Sequence, residues 1–331
     1  MIRETRDAST FELQWEGELP YKAGQFITFV IPTRSGLGRR SYSFSSAPGE
    51  VPAVTVKRVA NGVFSRPMLD TAQAGDQLTI AGGASGFFVL PENLADYDQV
   101  LFLAAGSGIT PIYSMIKSVL RSELNIPMLL AYSNTATEST IFREPLEKLA
   151  ARHPNLSMEW FYSGNQDLLK ARLSKTTLEH LLAARVKSDP QRILAYLCGP
   201  FDYMRMAAIV LQAHGILPEN IRREVFTPDA PRIKERPPDT ESYQVSVKFR
   251  GRQFKFDVQY PDTILAAAKS NGIELPYSCE AGRCGSCIAA CTSGKVWMSY
   301  NEVLTDNEVA QGRVLTCQSF PIGGDVTLEY F

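Results

Sequence analysis

The sequence predicts a multidomain fold, in which a small antiparallel β-barrel, a doubly wound α/β domain and an α+β domain follow one another. Residues 1–95 contain short stretches of β-branched and aromatic residues separated by turns, a pattern typical of antiparallel strands. Residues 96–228 alternate continuous apolar strands with helices, which indicates a parallel sheet. Residues 229–241 have the proline-rich, charged composition of a linker, and residues 242–331 form the third predicted domain.

In the first domain, FITFVIP and AVTVKRVA favour strands, and turns are predicted at SGLG, APGE and AGD. The second domain begins at about Tyr97 with QVLFLAAGSGITPIYSMIKSVLR, which predicts a buried strand, a glycine turn and a helix. Thr110 is the predicted N-cap of that helix, and Pro111 its first residue. Further strands are predicted in MLLAYSN, SMEWFYSG and RILAYLCGP, and further helices in EPLEKLAARH, TLEHLLAARV and DYMRMAAIVLQAHG.

The third domain opens with YQVSVKFRGRQFKFDV, which predicts a hairpin that turns at Gly251. DTILAAAKSNG predicts a short helix, with Asp262 as its N-cap and Gly272 as its left-handed stop. DVTLEY predicts the last strand of the chain.

The composition argues against several classes of function. The net charge is −1, so no bulk basic field would attract nucleic acid or an anionic membrane. No apolar run approaches a membrane span, and the N-terminus MIRETRDASTFELQW lacks the apolar core of a signal peptide. We therefore expect a cytoplasmic protein that neither spans a membrane nor binds nucleic acid. Because structural disulfides are rare in the cytoplasm, the cysteines are expected to serve metal or redox chemistry.

Four of the six cysteines lie in one stretch, CEAGRCGSCIAAC. With one cysteine farther along the chain they give the spacing C-x4-C-x2-C…C, that of plant-type [2Fe–2S] centres. A structural zinc site would offer two cysteine pairs or histidines, and no histidine lies in this domain. Cys291 falls outside the pattern and is predicted to be a small buried residue. The spacing therefore predicts four cluster ligands: Cys279, Cys284, Cys287 and Cys317.

The motifs of the third domain extend beyond its cysteines. LPYSCEAGRCGSC and GKVWMSYNEVLTDNEVAQGRVLTCQSFP resemble the plant-type ferredoxin domain that is found fused to reductases. This resemblance covers about ninety residues. It implies a β-grasp fold for residues 242–331.

In the first domain, RSYSFSSAP resembles the R-x-Y-S flavin motif of the ferredoxin–NADP reductase family, and YKAGQFITF resembles the strand before it. The resemblance implies that Arg40 neutralises flavin phosphate, that Tyr42 offers its ring and hydroxyl, and that Ser43 bonds near flavin N5. VKRVANGVFSRPML resembles the segment that binds the flavin pyrophosphate. The flavin-binding residues implied by these motifs are Arg40, Ser41, Tyr42, Ser43, Val56, Lys57, Gly62, Val63, Phe64 and Ser65.

In the second domain, AAGSGITP resembles the G-x-G-[IL]-[TA]-P nucleotide loop of the same family, and YLCGPFDYM resembles its C-G-P segment beside the nicotinamide. REVFTP resembles the segment that ends the nucleotide domain, and its Phe226 is expected to cover the flavin ring. Ser43 and Cys198 are the expected catalytic residues. The nucleotide-binding residues implied by the resemblance are Gly106, Gly108, Thr110, Pro111, Cys198, Gly199 and Pro200.

The order of these motifs resembles the reductase components of phenylacetyl-CoA epoxidase and of related hydroxylases and Rieske-type oxygenases. It implies an NAD(P)H-dependent enzyme that accepts hydride on a flavin and passes single electrons through a [2Fe–2S] cluster to an oxygenase or hydroxylase partner. FAD is the expected flavin, with FMN as the alternative. Of NADH and NADPH, the loops YSNTATES and YSGNQDLLKAR favour NADH, since neither has an arginine directly after its serine. Two alternatives are a non-catalytic redox-sensing subunit and a reductase of a free ferredoxin or flavodoxin.

Overall fold

A computed structural model describes residues 1–33, 36–226 and 235–330. The chain divides into two compact units, Met1–Phe226 and Thr227–Phe331. Residues 229–234 of the predicted linker lie outside the described residues. The boundaries at residues 95 and 228 stay predictions. None of the helices in the described ranges has the length and apolar character needed to cross a membrane.

The first unit begins with the predicted antiparallel barrel. Its strands are β1 (Ile2–Arg3), β2 (Ala8–Glu12), β3 (Phe26–Thr33), β4 (Gly36–Ser43) and β5 (Ala53–Lys57), and helix α1 (Ser65–Asp70) follows. β1, β2 and β5 form one sheet and β3 pairs with β4, while a bridge between Phe44 and Val54 joins β4 to β5. The prediction of a turn at SGLG is wrong for Gly36, Leu37 and Gly38, because all three pair with β3 as part of β4.

The remainder of this unit is a parallel sheet with helices on both faces, as predicted. Its strands lie in the order β8-β7-β6-β9-β10. Their bounds are β6 (Gln99–Ala105), β7 (Met128–Asn134), β8 (Leu156–Tyr162), β9 (Ile193–Cys198) and β10 (Ile221–Glu224). The helices are α2 (Ile109–Arg121), α3 (Arg143–Arg152), α4 (Leu168–Ala171), α5 (Lys175–Arg185) and α6 (Phe201–Ala213).

Side chains of β6 alternate between two hydrophobic cores, because successive residues of a strand point to opposite faces. Phe102 and Ala104 pack with residues of α2, whereas Leu101 and Leu103 pack with residues of α5 and α6. The predicted cap of α2 is wrong. The helix begins at Ile109, its N-cap is Gly108, and the Thr110 hydroxyl donates to the carbonyl of Ser107 at 3.0 Å.

The second unit has the expected β-grasp fold. Strands β11 (Tyr243–Phe249), β12 (Arg252–Val258), β13 (Ile288–Ser293), β15 (Arg313–Leu315) and β17 (Val326–Glu329) form a mixed sheet in the order β12-β11-β17-β13-β15. β14 (Val296–Met298) pairs with β16 (Ser319–Pro321), and the helices are α7 (Ile264–Ser270) and α8 (Asp306–Ala310).

The hairpin at Gly251 and the left-handed stop at Gly272, with φ of +70°, are confirmed. The predicted cap at Asp262 is wrong by one residue. The hydroxyl of Thr263 caps α7 instead, because it accepts from the backbone N–H of Ala266 at 3.2 Å.

Candidate functional site

Three neighbouring strands of the parallel sheet bring distant residues of the first unit together. In their register, Ala104 of β6 lies opposite Cys198 of β9, and Cys198 lies opposite Glu224 of β10. Because the strands are parallel, their carboxyl ends share one edge, which is where doubly wound sheets bind ligands. The glycine loop after β6 and the segment Cys198–Pro200 therefore meet at this edge.

Ser43, at the end of barrel strand β4, contributes a hydroxyl to this group. Its Oγ donates to Oε2 of Glu224 at 3.2 Å, although the two residues are 181 positions apart in the chain. Burial raises the pKa of Glu224 to about 8, an effect that the hydrogen bond from Ser43 partly offsets. Glu224 is consequently a buried carboxyl that holds its proton at neutral pH.

Cys198 is completely buried beside this carboxyl. Burial raises the pKa of its thiol well above the ordinary range, and the nearby Glu224 raises it further. The side chain therefore stays a thiol, which is a much weaker nucleophile than a thiolate.

The two nucleotide segments approach each other so closely that only glycine fits at two positions. A Cβ at Gly108 would lie 2.1 Å from the carbonyl oxygen of Cys198, and one at Gly199 would lie 2.8 Å from Cβ of Ala105. Thr110 and Pro111 are buried behind this contact, while Gly106 and Pro200 are not fully buried. A narrow surface made of backbone thus lies at the carboxyl edge of the sheet.

The predicted flavin residues of β4 become more buried along the strand, from the exposed Arg40 to the buried Ser43. Arg40 and Ser41 are exposed, and Oγ of Ser41 lies 2.9 Å from Oγ1 of Thr28. Tyr42 packs with its ring centroid 5.0 Å from that of Phe64, and burial raises the pKa of its hydroxyl to about 12. These positions present a guanidinium and an aromatic ring on one strand that leads to Ser43.

The other predicted flavin residues divide into core and surface. Val56 and the ring of Phe64 belong to the barrel core, so only their backbones are available to a ligand. Nζ of Lys57 lies 3.8 Å from the Asp7 carboxylate and 3.9 Å from the position that a Cβ at Gly106 would occupy. Lys57 thereby brings positive charge from the barrel to the glycine loop.

The turn before α1 is held by a hydroxyl. Oγ of Ser65 accepts from the backbone N–H of Val59 at 3.1 Å, and a Cβ at Gly62 would lie 2.3 Å from the same oxygen. Val63 is 52% exposed and Phe226 is 44% exposed. Both are exposed apolar side chains, as residues that a flat ring would cover are expected to be.

In the second unit the four predicted ligand cysteines form two pairs of free thiols. Cys279 hydrogen-bonds with Cys284, and Cys287 with Cys317. Within the described ranges, no group of three or more His, Cys, Asp or Glu side chains is placed so that it could hold a single metal ion. Two sulfur pairs are the donor set that a cluster of two irons requires, so these residues fit a [2Fe–2S] group.

The ligand loop directs backbone N–H groups at sulfur. The N–H of Ala281 donates to Sγ of Cys279 at 3.4 Å. The Cys284 thiol and the N–H groups that follow Cys279 lower the pKa of Cys279 to about 6. Glu280 and Gly282 have φ of +53° and +71°, a backbone region that suits glycine and lets the loop wrap.

Residues that flank Cys317 and the last strand hold the other predicted ligands in place. Thr316 donates its hydroxyl to the carbonyl of Cys287 at 3.1 Å and lies 2.7 Å from the hydroxyl of Tyr330, directly after β17. Nε2 of Gln318 donates to the carbonyl of Glu280 at 2.9 Å, so it ties the loop of Cys279 to the segment of Cys317. The prediction of a buried Cys291 is wrong, since this residue of β13 is partly exposed and its thiol donates to the carbonyl of Ser293.

Comparison with known proteins identifies the family. A model of the 2Fe-2S iron-sulfur cluster binding domain matches residues 247–321, and a model of the oxidoreductase NAD-binding domain matches residues 102–208. The glycine betaine monooxygenase reductase subunit of Pseudomonas aeruginosa is 30% identical over 100% of this chain and 93% of its own length. The chain belongs to the reductase components of multicomponent oxygenases.

Two further relatives of this reductase support the assignment. One subunit of the 1,2-phenylacetyl-CoA epoxidase of Escherichia coli is 31% identical over 99% of this chain and 94% of its own. Phthalate dioxygenase reductase is similar in structure, with a TM-score of 0.60, 25% identity and coverage of 99% of this chain and 95% of that one. The reductase therefore takes electrons from NAD(P)H and passes them by way of a flavin to a [2Fe–2S] centre.

Proposed function

We propose that Ser43, Cys198 and Glu224 form the place in this reductase where the nicotinamide gives its hydride to the flavin. The observation that carries the proposal is the hydrogen bond between Ser43 and Glu224, which joins the predicted flavin strand to the nucleotide sheet beside Cys198. When bound, the flavin supplies the ability to accept a pair of electrons and release them singly.

Each of the three residues has a separate role in this proposal. Ser43 places a hydroxyl at the end of the flavin strand, and Glu224 holds that hydroxyl in one orientation. Glu224 is protonated up to about pH 8, so it adds no buried negative charge where hydride would arrive. Cys198, as a thiol, fills the space beneath the glycine loop and excludes water.

The nucleotide is proposed to lie along the backbone surface formed by the glycine loop and Cys198–Pro200. We favour NADH, because the loop after β7 places acidic Glu138 in a short helix, where the 2′-phosphate of NADPH would need a cation. Arg143, which follows nearby, is paired with Glu147 at 2.9 Å. Comparison of kcat/KM for NADH and NADPH tests this preference directly.

The flavin is proposed to be FAD, held by Arg40, Ser41, Tyr42, Lys57 and the turn Gly62–Ser65, with Phe226 over its ring. The support is the cationic and hydroxyl character of these groups and the exposure of Phe226. Release of the flavin by heat, followed by chromatography against FAD and FMN, distinguishes the two.

Cys279, Cys284, Cys287 and Cys317 are proposed as the ligands of the cluster. Their pairing and the N–H groups directed at Cys279 support this assignment. The electron acceptor is proposed to be an oxygenase or hydroxylase component, because the relatives named above are reductase subunits of such systems. A cytoplasmic location is proposed on the free thiols of the chain, which suit a reducing compartment.

The central test is stopped-flow reduction of the flavin by NADH in Ser43→Ala. We expect the rate to fall about five- to tenfold, because the lost hydrogen bond contributes about 1 kcal/mol. Ser45→Ala is the matched control: this hydroxyl, two residues farther on, donates to the carbonyl of Ala53 in the barrel at 3.3 Å. An unchanged rate in Ser43→Ala, or an equal loss in Ser45→Ala, would contradict the assignment.

The overall function is tested by reduction of ferricyanide and cytochrome c with NADH. A protein that holds flavin and cluster and reduces neither acceptor would favour the redox-sensing alternative. A protein that reduces a free ferredoxin faster than its oxygenase component would favour the other alternative.

A further inference from the structure

The second unit contains a buried ion pair directly beside the ligand loop. Nε of Arg283 lies 3.1 Å from Oε2 of Glu302, and their side chains are only 6% and 11% exposed. The guanidinium also lies over the ring of Tyr300, with Cζ 5.9 Å from the ring centroid. Removing two charges from water is costly, and a buried ion pair is weak evidence for stability, so this pair calls for another explanation.

Both members of the pair are attached to the ligand loop by backbone as well as side chain. Arg283 immediately precedes the ligand Cys284, and its own N–H is among those that bond to the sulfur of Cys279. The N–H of Glu302 donates to the carbonyl of Gly282 at 3.1 Å. The pair thus fixes one positive and one negative charge at the loop that carries the first two ligands.

A second ion pair at the same loop differs in exposure. Glu280 immediately follows Cys279 and pairs with Lys269 at 3.0 Å, but their side chains are 47% and 39% exposed. Solvent and salt screen such charges strongly, whereas they screen buried charges weakly. Two ion pairs therefore lie at the loop with different exposure, and each includes one residue next to a proposed ligand in sequence: Glu280 beside Cys279, and Arg283 beside Cys284.

We propose that the Arg283–Glu302 pair sets the reduction potential of the cluster. One electron from the flavin makes the cluster more negative by one charge, with no bond formed or broken. Arg283 favours the reduced form and Glu302 disfavours it, so the balance of the two fixes the driving force for delivery to the oxygenase component. This inference rests on the proposed ligands, and Arg283 and Glu302 act as positioning residues that do not touch substrate.

The test is a spectroelectrochemical titration of the holoenzyme and four variants, with iron content and the cluster spectrum measured on each. Glu302→Gln removes the buried negative charge, so its cluster potential is expected to rise. Arg283→Met removes the positive charge, so its potential is expected to fall. The double variant is expected to lie between the single variants, and Glu280→Gln is expected to shift the potential least because its charge is screened.

Opposite shifts are the decisive result, since a purely structural role would move both single variants in the same direction. Shifts of the same sign, or shifts no larger than that of Glu280→Gln, would overturn the proposal. If one single variant fails to hold a cluster, the other single variant and the double variant still decide. The cluster potential of the double variant must then lie closer to the wild-type potential than that of the remaining single variant does. A wild-type protein without iron would overturn the ligand assignment itself, which distinguishes the two failures.

Discussion

The proposed hydride site and the proposed cluster loop are built in opposite ways. Ser43, Cys198 and Glu224 come from three distant segments and meet only because β4, β9 and β10 are folded as they are. The first three proposed ligands of the cluster all lie in the stretch Cys279–Cys287, on one loop. The difference teaches that a local motif can be recognised from its spacing, whereas a distributed site depends on the register of strands.

The two sites also treat buried charge differently. Glu224 has no cationic partner among its described contacts and keeps its proton because burial raises its pKa. Glu302 is paired with Arg283. The charge of Glu224 therefore depends on pH. In the second arrangement each buried charge is balanced by its partner, so removing one leaves the other unpaired.

The largest effect is expected from removing a ligand of the local site. Cys317→Ala should reduce the iron content and the cluster spectrum to background, because a cluster needs all four thiolates. Cytochrome c reduction through the cluster should be lost with it. Flavin content and ferricyanide reduction by NADH should remain near wild type; their loss would show that the two sites are not separable.

The second-largest effect is expected from adding a methyl group to the proposed hydride site, at the point where the glycine loop approaches the backbone of Cys198. Gly108→Ala would place Cβ 2.1 Å from the carbonyl of Cys198, so the loop must move. We expect a loss of about 1–3 kcal/mol, divided between stability and NADH binding, measured as the thermal midpoint and the KM for NADH. Gly83→Ala is the control, because nothing lies within 4 Å of its Cβ. Equal values for the two variants would contradict the close approach.

The contrast in buried charge predicts a difference in pH dependence. The pKa of Glu224 is raised from 4.5 to about 8, so the folded protein holds a proton that the unfolded protein releases. This stabilisation is complete below about pH 4.5 and is lost as the pH rises to about 8. Relative to Glu224→Gln, the wild type should lose up to about 1.4 kcal/mol of unfolding free energy per pH unit in that range. Parallel stability curves for the two proteins would show that Glu224 is ionised.

The smallest effect is expected from a cysteine that neither site uses. Cys291→Ala should leave the cluster spectrum and iron content unchanged, because its thiol donates to the Ser293 carbonyl at 3.5 Å on β13 rather than joining either sulfur pair. A lost spectrum would mean that the ligand set has been assigned wrongly.

The fold could be predicted from the sequence because its apolar patterns are strong. A continuous apolar run such as that of β6 and the alternating pattern of the hairpin at Gly251 are each compatible with few other secondary structures. Helix caps were harder to place. Asp262 and Thr263 are both good caps, and only the hydrogen bond to Ala266 decides between them.

The residues of the two sites could likewise be predicted only in part from the sequence. The cysteine spacing alone predicts four ligands, but it says nothing of Glu302, which lies outside the stretch Cys279–Cys291 and is buried against Arg283. The segment REVFTP predicts a role for Phe226, whereas Glu224, two positions earlier, is the residue that accepts the hydrogen bond from Ser43. Its burial at the carboxyl end of β10 is seen only in the folded sheet, because the sequence of that strand, IRRE, is mostly charged.

The position of β17 ties the proposed ligand segments to a part of the sequence that holds no cysteine. This strand lies in the middle of its sheet between β11 and β13, and its neighbour Tyr330 reaches Thr316, whose hydroxyl donates to the carbonyl of Cys287. The centre of the sheet is therefore complete only when Val326–Glu329 has paired with both neighbouring strands. Damage to this strand would consequently weaken the support behind Cys287 without altering any of the four cysteines.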